Sequence, residues 1–212
     1  MPEPKGIGKL GGEVVPGVYR FTMHDDRIDF ESDSYVVVEK DRAILIDPLP
    51  MNKRDLKKLG AVEAICLTAS CHERAAWRYQ DSFKVPVYAP RRGVDFEGTP
   101  DRWYGPGDRL PGGLKAVHSP GPTNAHYSFY LRRGGGVVFC ADLLTNAEGR
   151  GLAFVPGEYQ DDPKVTRVSV RRLLNLQFRV LCPNHGDPIK TGAKKAIRQA
   201  LAHDAAQRDG AD

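Results

Sequence analysis

Short runs of apolar, β-branched and aromatic residues recur along this chain, and polar or glycine-containing turns separate them. Such runs are typical of β-strands. The run at residues 62–67 is continuously apolar once Glu63 is passed, which indicates a strand covered on both faces. The predicted strands occupy residues 17–21, 34–38, 43–46, 62–67, 85–88, 114–118, 125–131, 137–140 and 178–182.

Four segments have the start and stop signals of helices. Residues 52–59 end at Gly60, the residue type preferred just after a helix. Asp162 is followed by Pro163, and these residue types favour the N-cap and the first helical position. The other two helices are predicted over residues 73–83 and from Thr191 onwards.

Strands and helices alternate along the chain, and no linker divides them. We therefore predict an α/β fold with helices outside a β-rich core. The first residues are polar and rich in glycine and proline. We expect residues 1–13 to form a flexible lead-in and residues 14–212 to form one domain.

The composition narrows the range of partners. Of the 212 residues, 41% are hydrophobic, and the formal net charge is +4. The basic residues are scattered rather than gathered in a stripe, so we expect no nucleic-acid binding. No run approaches the ~18 apolar residues that a membrane span needs, and the polar start lacks an apolar signal core, so we predict a cytoplasmic protein without membrane contact. A small-molecule ligand is the partner that remains, and the sequence does not indicate an oligomeric state.

The four cysteines do not have the spacing of a zinc or redox motif. Cys66, Cys140 and Cys182 lie in or at the end of predicted strands, where a free thiol packs as a small hydrophobe. Cys71 differs, because it lies beyond its strand in a polar loop. That loop contains the stretch with the most chemical information, which reads Thr68-Ala69-Ser70-Cys71-His72-Glu73-Arg74.

This loop and four other segments, each at a strand end, resemble in order the conserved segments of the metallo-β-lactamase superfamily. The resemblance runs from about residue 14 to about residue 206, and it implies the four-layer αββα sandwich of that family. The loop takes the place of the family's Thr-His-x-His-x-Asp-His motif. The other matching segments are Ala43-Ile44-Leu45-Ile46-Asp47 ("ILID"), His118-Ser119-Pro120-Gly121-Pro122-Thr123 (Pro-Gly-His-Thr), Val137-Val138-Phe139-Cys140-Ala141-Asp142 ("GD") and Pro183-Asn184-His185-Gly186 ("PGHG").

In that family two zinc ions share a water molecule and lower its pKa, which makes hydroxide available at neutral pH. The resemblance implies that the first zinc site is lost in this chain. Ala69 and Pro122 replace two of its three histidines, and neither side chain has a donor atom. Cys71 replaces the remaining histidine and could bind a metal only as a thiolate.

The second zinc site leaves two alternatives. Asp142 and His185 are retained, Glu73 replaces the family's aspartate and Arg74 replaces its last histidine, as in the true β-lactamases. One zinc or another divalent transition metal could bind to Glu73, Asp142 and His185. We favour a metal-free site without a cofactor, in which the Arg74 guanidinium pairs with Asp142 or Glu73, because a buried carboxylate needs a cation.

Two residues of the loop have further interpretations. His72 falls at a variable position of the motif, so we expect a loop residue that faces solvent or caps the next helix, and the alternative is an acid or base at the pocket mouth. Cys71 is a candidate nucleophile with His72 or His185 as its base, although an inert thiol in a vacated ligand position is favoured. The candidate catalytic residues are Asp142, His185, Glu73 and His72, and the candidate pocket residues are Cys71, Arg74, Thr68, Ala69 and Pro122.

These residues predict a metallo-β-lactamase-fold protein whose metal site is degraded. It would lack the family's two-zinc hydrolysis and act as a ligand-binding or regulatory protein. The alternative is a hydrolase with one metal ion that acts on an ester- or amide-like substrate.

Overall fold

The computed structural model describes residues 3–147 and 151–209. The predicted lead-in and domain also include residues 1–2, 148–150 and 210–212, which lie outside the described chain. The helices are α1 (Lys53–Leu59), α2 (Ala76–Phe83), α3 (Pro163–Leu173) and α4 (Ala193–Asp209). The strands are β1 (Lys9–Val15), β2 (Val18–Asp25), β3 (Phe30–Glu39), β4 (Arg42–Ile46), β5 (Ala61–Cys66), β6 (Val87–Pro90), β7 (Arg102–Tyr104), β8 (Leu114–His118), β9 (Tyr127–Leu131), β10 (Val137–Ala141), β11 (Leu144–Thr145), β12 (Ala153–Phe154) and β13 (Val180–Pro183).

The first seven strands form one sheet in chain order, from β1 to β7. The pairs from β1 to β4 are antiparallel, and those from β4 to β7 are parallel. Lys40 and Asp41 join β3 to β4 with φ angles of 48° and 61°. Left-handed conformations at both central positions suit a tight hairpin, whose twist matches that of the flanking strands.

A second sheet has the strand order β13-β10-β9-β8. β10 pairs with β9 antiparallel and with β13 parallel, and α3 lies in the connection between β10 and β13. β11 and β12 form a separate two-stranded ribbon. The two larger sheets face each other, since Tyr35 of β3 contacts Phe139 of β10 with 5.3 Å between ring centroids.

Three apolar clusters define the layers. One lies between the two sheets and contains Tyr35, Phe129 and Phe139. A second joins the seven-stranded sheet to Leu56 of α1 and Tyr79 of α2. The third packs the four-stranded sheet against α3 and α4 through Leu173 and Ile197, among others. The order helix, sheet, sheet, helix confirms the predicted α/β class and its four-layer arrangement.

Two of the predicted helices begin at a side-chain cap, and the start signal at Asp162 is confirmed. The Asn52 side chain accepts a hydrogen bond from the Arg54 amide, and α1 is followed by Gly60. The Asp162 side chain accepts from the amides of Lys164 and Val165 at the start of α3. Each such cap satisfies backbone donors that the first turn of a helix leaves without partners.

Two segments differ from the predictions. The lead-in expected over residues 1–13 is not loose throughout, because Lys9–Val15 pairs with β2 as the edge strand β1. The helix expected from residue 73 begins only at Ala76. A left-handed Arg74, with φ of 43°, interrupts the predicted helix and separates α2 from a 3-10 turn at Ser70–His72. Within the described residues, the helices are all too short or too polar to cross a membrane.

Candidate functional site

The candidate site lies where C-terminal strand ends from both sheets meet. Asp47 follows β4, and the loop that begins at Thr68 follows β5. Asp142 follows β10, while Asn184 and His185 follow β13. Loops at these ends are held by rigid strands on both sides, so the topology brings polar residues that are far apart in sequence into contact.

His72 is the centre of the contacts between these loops. Its Nε2 lies 2.8 Å from Oδ2 of Asp142, and its Nδ1 lies 2.7 Å from Oγ1 of Thr68 and 3.2 Å from Oδ2 of Asp47. The imidazole is 4% exposed. The prediction of a solvent-facing or helix-capping His72 is therefore wrong, because the 3-10 turn directs this side chain into the gap between the sheets.

The hydrogen bonds indicate which protons the His72 ring carries. The Thr68 hydroxyl donates to Oδ2 of Asp47 at 2.6 Å, so it is free only to accept from Nδ1 of His72. Nε2 faces the carboxylate of Asp142, which accepts when ionised. Nδ2 of Asn184 also lies 3.4 Å from Nδ1 of His72, but it donates to Asp47 at the shorter distance of 2.8 Å. Both ring nitrogens therefore donate, and His72 is an imidazolium between two aspartates.

The charges around the site also favour the protonated form of His72. Burial lowers the pKa of His72, but the negative charges of Asp142 and Asp47 outweigh burial and hold this pKa well above its ordinary value. Burial raises the pKa of Asp142, and the His72 charge more than offsets it, so this pKa lies well below its ordinary value. The pKa of Asp47 is likewise lowered against burial, chiefly by His72.

Asp47 anchors the base of the site. Its Oδ1 accepts from the Thr68 amide at 2.8 Å, and its Oδ2 accepts from the Thr68 hydroxyl and from Nδ2 of Asn184 at 2.8 Å. Its backbone is left-handed with φ of 46°, as is that of Ala141 just before Asp142, with φ of 48°. Such backbone in non-glycine residues costs about 1–2 kcal/mol and concentrates where surrounding contacts fix a functional geometry.

The other carboxylate, that of Asp142, has one oxygen turned towards His185. Nε2 of His185 lies 3.4 Å from Oδ1, a separation too long for a strong hydrogen bond. Oδ1 is buried and makes no hydrogen bond within the described chain. Nδ1 of His185 lies 2.7 Å from the Glu31 carbonyl and therefore donates to it, which leaves Nε2 directed at the carboxylate.

His126 supports the site from behind and was not among the predicted site residues. Its Nδ1 donates to the Ser119 carbonyl at 2.8 Å, and its Nε2 accepts from the Asp142 amide at 3.3 Å. This pattern requires a neutral ring, in agreement with burial, which lowers the pKa of His126 to about 4. The position of His126 near the start of a predicted strand does not indicate its contact with Asp142.

An ion-pair network holds the loop that carries His185. Nε of Arg20 donates to Oδ1 of Asp33 at 2.6 Å, and Nη1 of Arg20 pairs with Asp187. The other oxygen of Asp33 accepts from the Gly186 amide at 2.8 Å. Burial raises the pKa of Asp33 to about 6 although Arg20 opposes this shift. One guanidinium thus ties the two residues that follow the histidine to the seven-stranded sheet.

Glu73 is directed away from the other predicted metal ligands. Its Oε2 accepts from the Trp77 indole nitrogen and, at 2.7 Å, from the Glu97 amide. The carboxylate therefore belongs to the packing between α2 and the loop that follows β6. The predicted ligand set of Glu73, Asp142 and His185 is not the set that the fold brings together.

Arg74 also has different partners from those predicted. Its Nη1 donates to the backbone carbonyls of Asp33 at 2.5 Å and Asp47 at 3.0 Å. The predicted pairing with Asp142 or Glu73 is therefore replaced by hydrogen bonds to carbonyl groups. The cation beside Asp142 is instead the imidazolium described above.

The metal-binding atoms available at the site limit how many metal ions it could hold. Ala69 and Pro122 are buried without donor atoms, so two zinc ions with the family's ligands do not fit this site. One group of three residues has ligating atoms within 4.8 Å of one another in the described chain, namely Cys71, His72 and Asp142. These three side chains could hold a single ion.

Cys71 is the exposed member of that group. Both nitrogens of His72 are hydrogen-bonded, so His72 has no free lone pair to act as a base for this thiol. The interpretation of Cys71 as a nucleophile activated by His72 therefore has no support from the contacts.

Similarity to known proteins agrees with this fold. A family model described as the metallo-beta-lactamase superfamily matches residues 13–186, whereas none of the curated proteins matches. The DIM-1 metallo-beta-lactamase superposes with a TM-score of 0.73 at 13% identity, covering 93% of this chain and 98% of that one. A metallo-beta-lactamase from Pontibacter korlensis gives 0.73 at 18% identity, covering 92% and 99%. The metallo-beta-lactamase family protein TTHA1429 from Thermus thermophilus gives 0.70 at 17% identity, covering 93% and 82%. Together with the four-layer fold, the family match shows that this chain belongs to the metallo-beta-lactamase superfamily.

Proposed function

We propose that this protein does not carry out two-zinc hydrolysis and that its cleft is a ligand-binding site with a regulatory role. The observation that supports this proposal is the hydrogen bond from Nε2 of His72 to Oδ2 of Asp142, at 2.8 Å. A protonated side chain of the chain itself neutralises the carboxylate that bridges two metal ions in the family.

The energetics favour this arrangement in the absence of metal. An unpaired buried carboxylate is costly, and the desolvation penalty reaches several kcal/mol per ion. His72 reduces that cost for Asp142 and Asp47, since its single positive charge lies beside both carboxylates. The site is therefore complete as a structure without a metal ion, unlike sites that fold only when the metal binds.

The groups left for a ligand are one buried carboxylate oxygen, the imidazole nitrogen beside it and an exposed thiol. Oδ1 of Asp142 makes no hydrogen bond within the described chain, Nε2 of His185 faces it, and the Cys71 thiol is exposed. An acceptor oxygen beside an imidazole nitrogen suits a small ligand with a hydrogen-bond donor or a positive charge. A hydrolase with one ion on Glu73, Asp142 and His185 has less support, because the Glu73 carboxylate is engaged by Trp77 and Glu97.

We expect the purified protein to carry less than one zinc ion per chain and to hydrolyse no lactam, thioester, lactone or phosphodiester, even with zinc added. Elemental analysis and an assay with each substrate class test this expectation. The matched control is Asp142→Asn, which keeps the shape of the side chain but removes its charge. Two zinc ions per chain, together with turnover that Asp142→Asn abolishes, would contradict the proposal.

A further inference from the structure

We propose that this protein has a second small-molecule site, a cavity between β12, α3 and α4 that binds a neutral aromatic molecule with one N–H or O–H donor. The 3-10 turn that begins at Gly157 also borders this cavity. Within the described chain, the residues that contact His72 do not line it. The inference therefore stands apart from the function proposed for the strand-end site.

The cavity has the size and the lining of a site for a small ligand. Its volume is about 210 Å³. Pockets for drug-sized ligands begin at roughly 300 Å³, whereas an engineered cavity of roughly 150 Å³ binds benzene. The apolar part of the lining consists mainly of Leu152, Ala153, Phe154, Val155, Pro163 and Ala200. A ligand of one or two fused rings matches this space.

The lining also includes a hydrogen-bond acceptor that lacks a donor. Gln160 lines the cavity, and its Oε1 is buried and makes no hydrogen bond within the described chain. Nε2 of the same side chain donates to the Val155 carbonyl. Exchange of the two amide atoms would place an oxygen against that carbonyl, so this contact fixes the orientation of the amide. A buried acceptor without a partner is unfavourable, and a donor on a ligand would remove that penalty.

The arginine and the aspartate of the cavity already neutralise each other. Nε and Nη2 of Arg167 donate to the two carboxylate oxygens of Asp204, each at 2.7 Å, and Nη1 donates to the Pro163 carbonyl at 2.7 Å. The guanidinium carbon also lies 5.6 Å from the centroid of the Phe154 ring. A charged ligand would find no free countercharge in this pair, so the cavity favours a neutral ligand.

The shape and the polarity of the lining together define the class of ligand. Phe154, Pro156 and Pro163 contribute rings to the walls, and largely apolar, ring-containing walls suit a flat ligand. The amide oxygen of Gln160 selects a ligand with an N–H or O–H donor. Indole is a neutral, flat, bicyclic molecule with a single N–H, and it serves as the probe.

Titration of the protein with indole, followed by two-dimensional ¹H–¹⁵N NMR, tests the inference. We expect saturable binding of one indole per chain, with the largest shifts at residues 152–160 and 200–207. Benzofuran has nearly the same shape but lacks the N–H, so we expect it to bind about tenfold more weakly. This comparison uses the unmodified protein and needs no variant.

Three variants locate the binding site. Gln160→Leu removes the acceptor, so we expect it to bind indole and benzofuran with similar affinities. Ala153→Leu fills part of the cavity and is expected to lose binding of both probes. The control is Gln177→Leu, which alters an exposed glutamine outside the cavity lining and should bind like the wild type.

Each outcome bears on the inference alone. Absence of saturable indole binding, or equal affinities of the wild type for indole and benzofuran, would overturn it. Indole binding that persists unchanged in Ala153→Leu would also overturn it, because the probe would then occupy another place. Metal content and turnover do not enter these measurements, so the function proposed for the strand-end site is tested separately.

Discussion

Replacement of Asp47 by alanine is expected to lower the free energy of unfolding by about 4 kcal/mol. The substitution removes the partner of a buried charge and leaves several buried hydrogen-bond donors without an acceptor. The carboxylate accepts from the Thr68 amide, the Thr68 hydroxyl and Asn184. It also balances the charge of His72. Urea denaturation measures this change, and the corresponding fall in melting temperature is about 10 °C for a domain of this size.

Two further variants serve as references for the loss of stability in Asp47→Ala. Asp47→Asn retains one acceptor oxygen but not the charge, so we expect an intermediate loss of stability. Lys58→Ala breaks an exposed ion pair with Asp55, in which Lys58 is 61% exposed, and should change stability by no more than about 0.5 kcal/mol. An Asp47→Ala variant as stable as Lys58→Ala would contradict the assignment of Asp47 as the partner of a buried imidazolium.

Replacement of Arg20 by methionine is expected to cost about 3–5 kcal/mol at pH 8. Arg20 is the cation in contact with Asp33, Glu31 and Asp187. The Asp33 side chain is fully buried, so loss of Arg20 leaves an unpaired carboxylate in the protein interior. Methionine fills part of the same volume, so the expected effect is mainly electrostatic. Denaturation at two pH values measures it.

The effect of Arg20→Met should depend on pH in a defined direction. Burial already raises the pKa of Asp33 to about 6, and loss of the neighbouring guanidinium should raise this pKa further. At pH 5 the carboxyl group of the variant is protonated and needs no cation, so the loss of stability should be smaller than at pH 8. The double variant Arg20→Met, Asp33→Asn should recover at least half of the loss at pH 8. Equal losses at both pH values, or additive effects of the two substitutions, would argue against an unpaired carboxylate.

Much of the fold follows from local patterns in the sequence. The apolar runs at residues 43–46, 62–67 and 137–140 are strands because they have buried faces on both sides of a sheet. The cap at Asp162 marks a helix start through hydrogen bonds within a few residues. Both kinds of signal are local, so these elements can be predicted without knowledge of the tertiary structure.

The edge strand β1 and the start of α2 are harder to predict from the sequence. Lys9–Val15 is largely exposed and contains two glycines, so it lacks the alternation that indicates a strand, and its place depends on pairing with β2. The loop before α2 looks like a continuation of the helix in sequence. The left-handed backbone of Arg74 interrupts it, and the hydrogen bonds of its guanidinium to distant carbonyl groups accompany that conformation.

The candidate site was predicted in part. Asp142 and His185 lie at strand ends that the motif pattern identifies, and their side chains face each other. Asp47 closes a matching segment and Asn184 precedes His185, yet their role arises from contacts between sheets that no local spacing encodes. Similarly, His72 occupies a variable motif position, and only the 3-10 turn places it between two carboxylates.

The raised pKa of His72 also sets a direction for stability against pH. The folded-state pKa lies well above the ordinary value of 6.5. The stabilisation from this ion pair is therefore fully present below pH ~6.5 and is lost as pH rises through the folded-state pKa. Both aspartates stay ionised throughout this range, since their pKa values are lowered.

The protonation state of His72 in the metal-free protein is the most direct test of the account. A long-range ¹H–¹⁵N correlation spectrum at pH 7.5, with His72→Gln used to assign the signals, reports both ring nitrogens. We predict that Nδ1 and Nε2 of His72 both carry protons at this pH. A neutral ring with an unprotonated Nε2 would contradict this prediction, because Asp142 would then lack the internal cation that we propose in place of the metal.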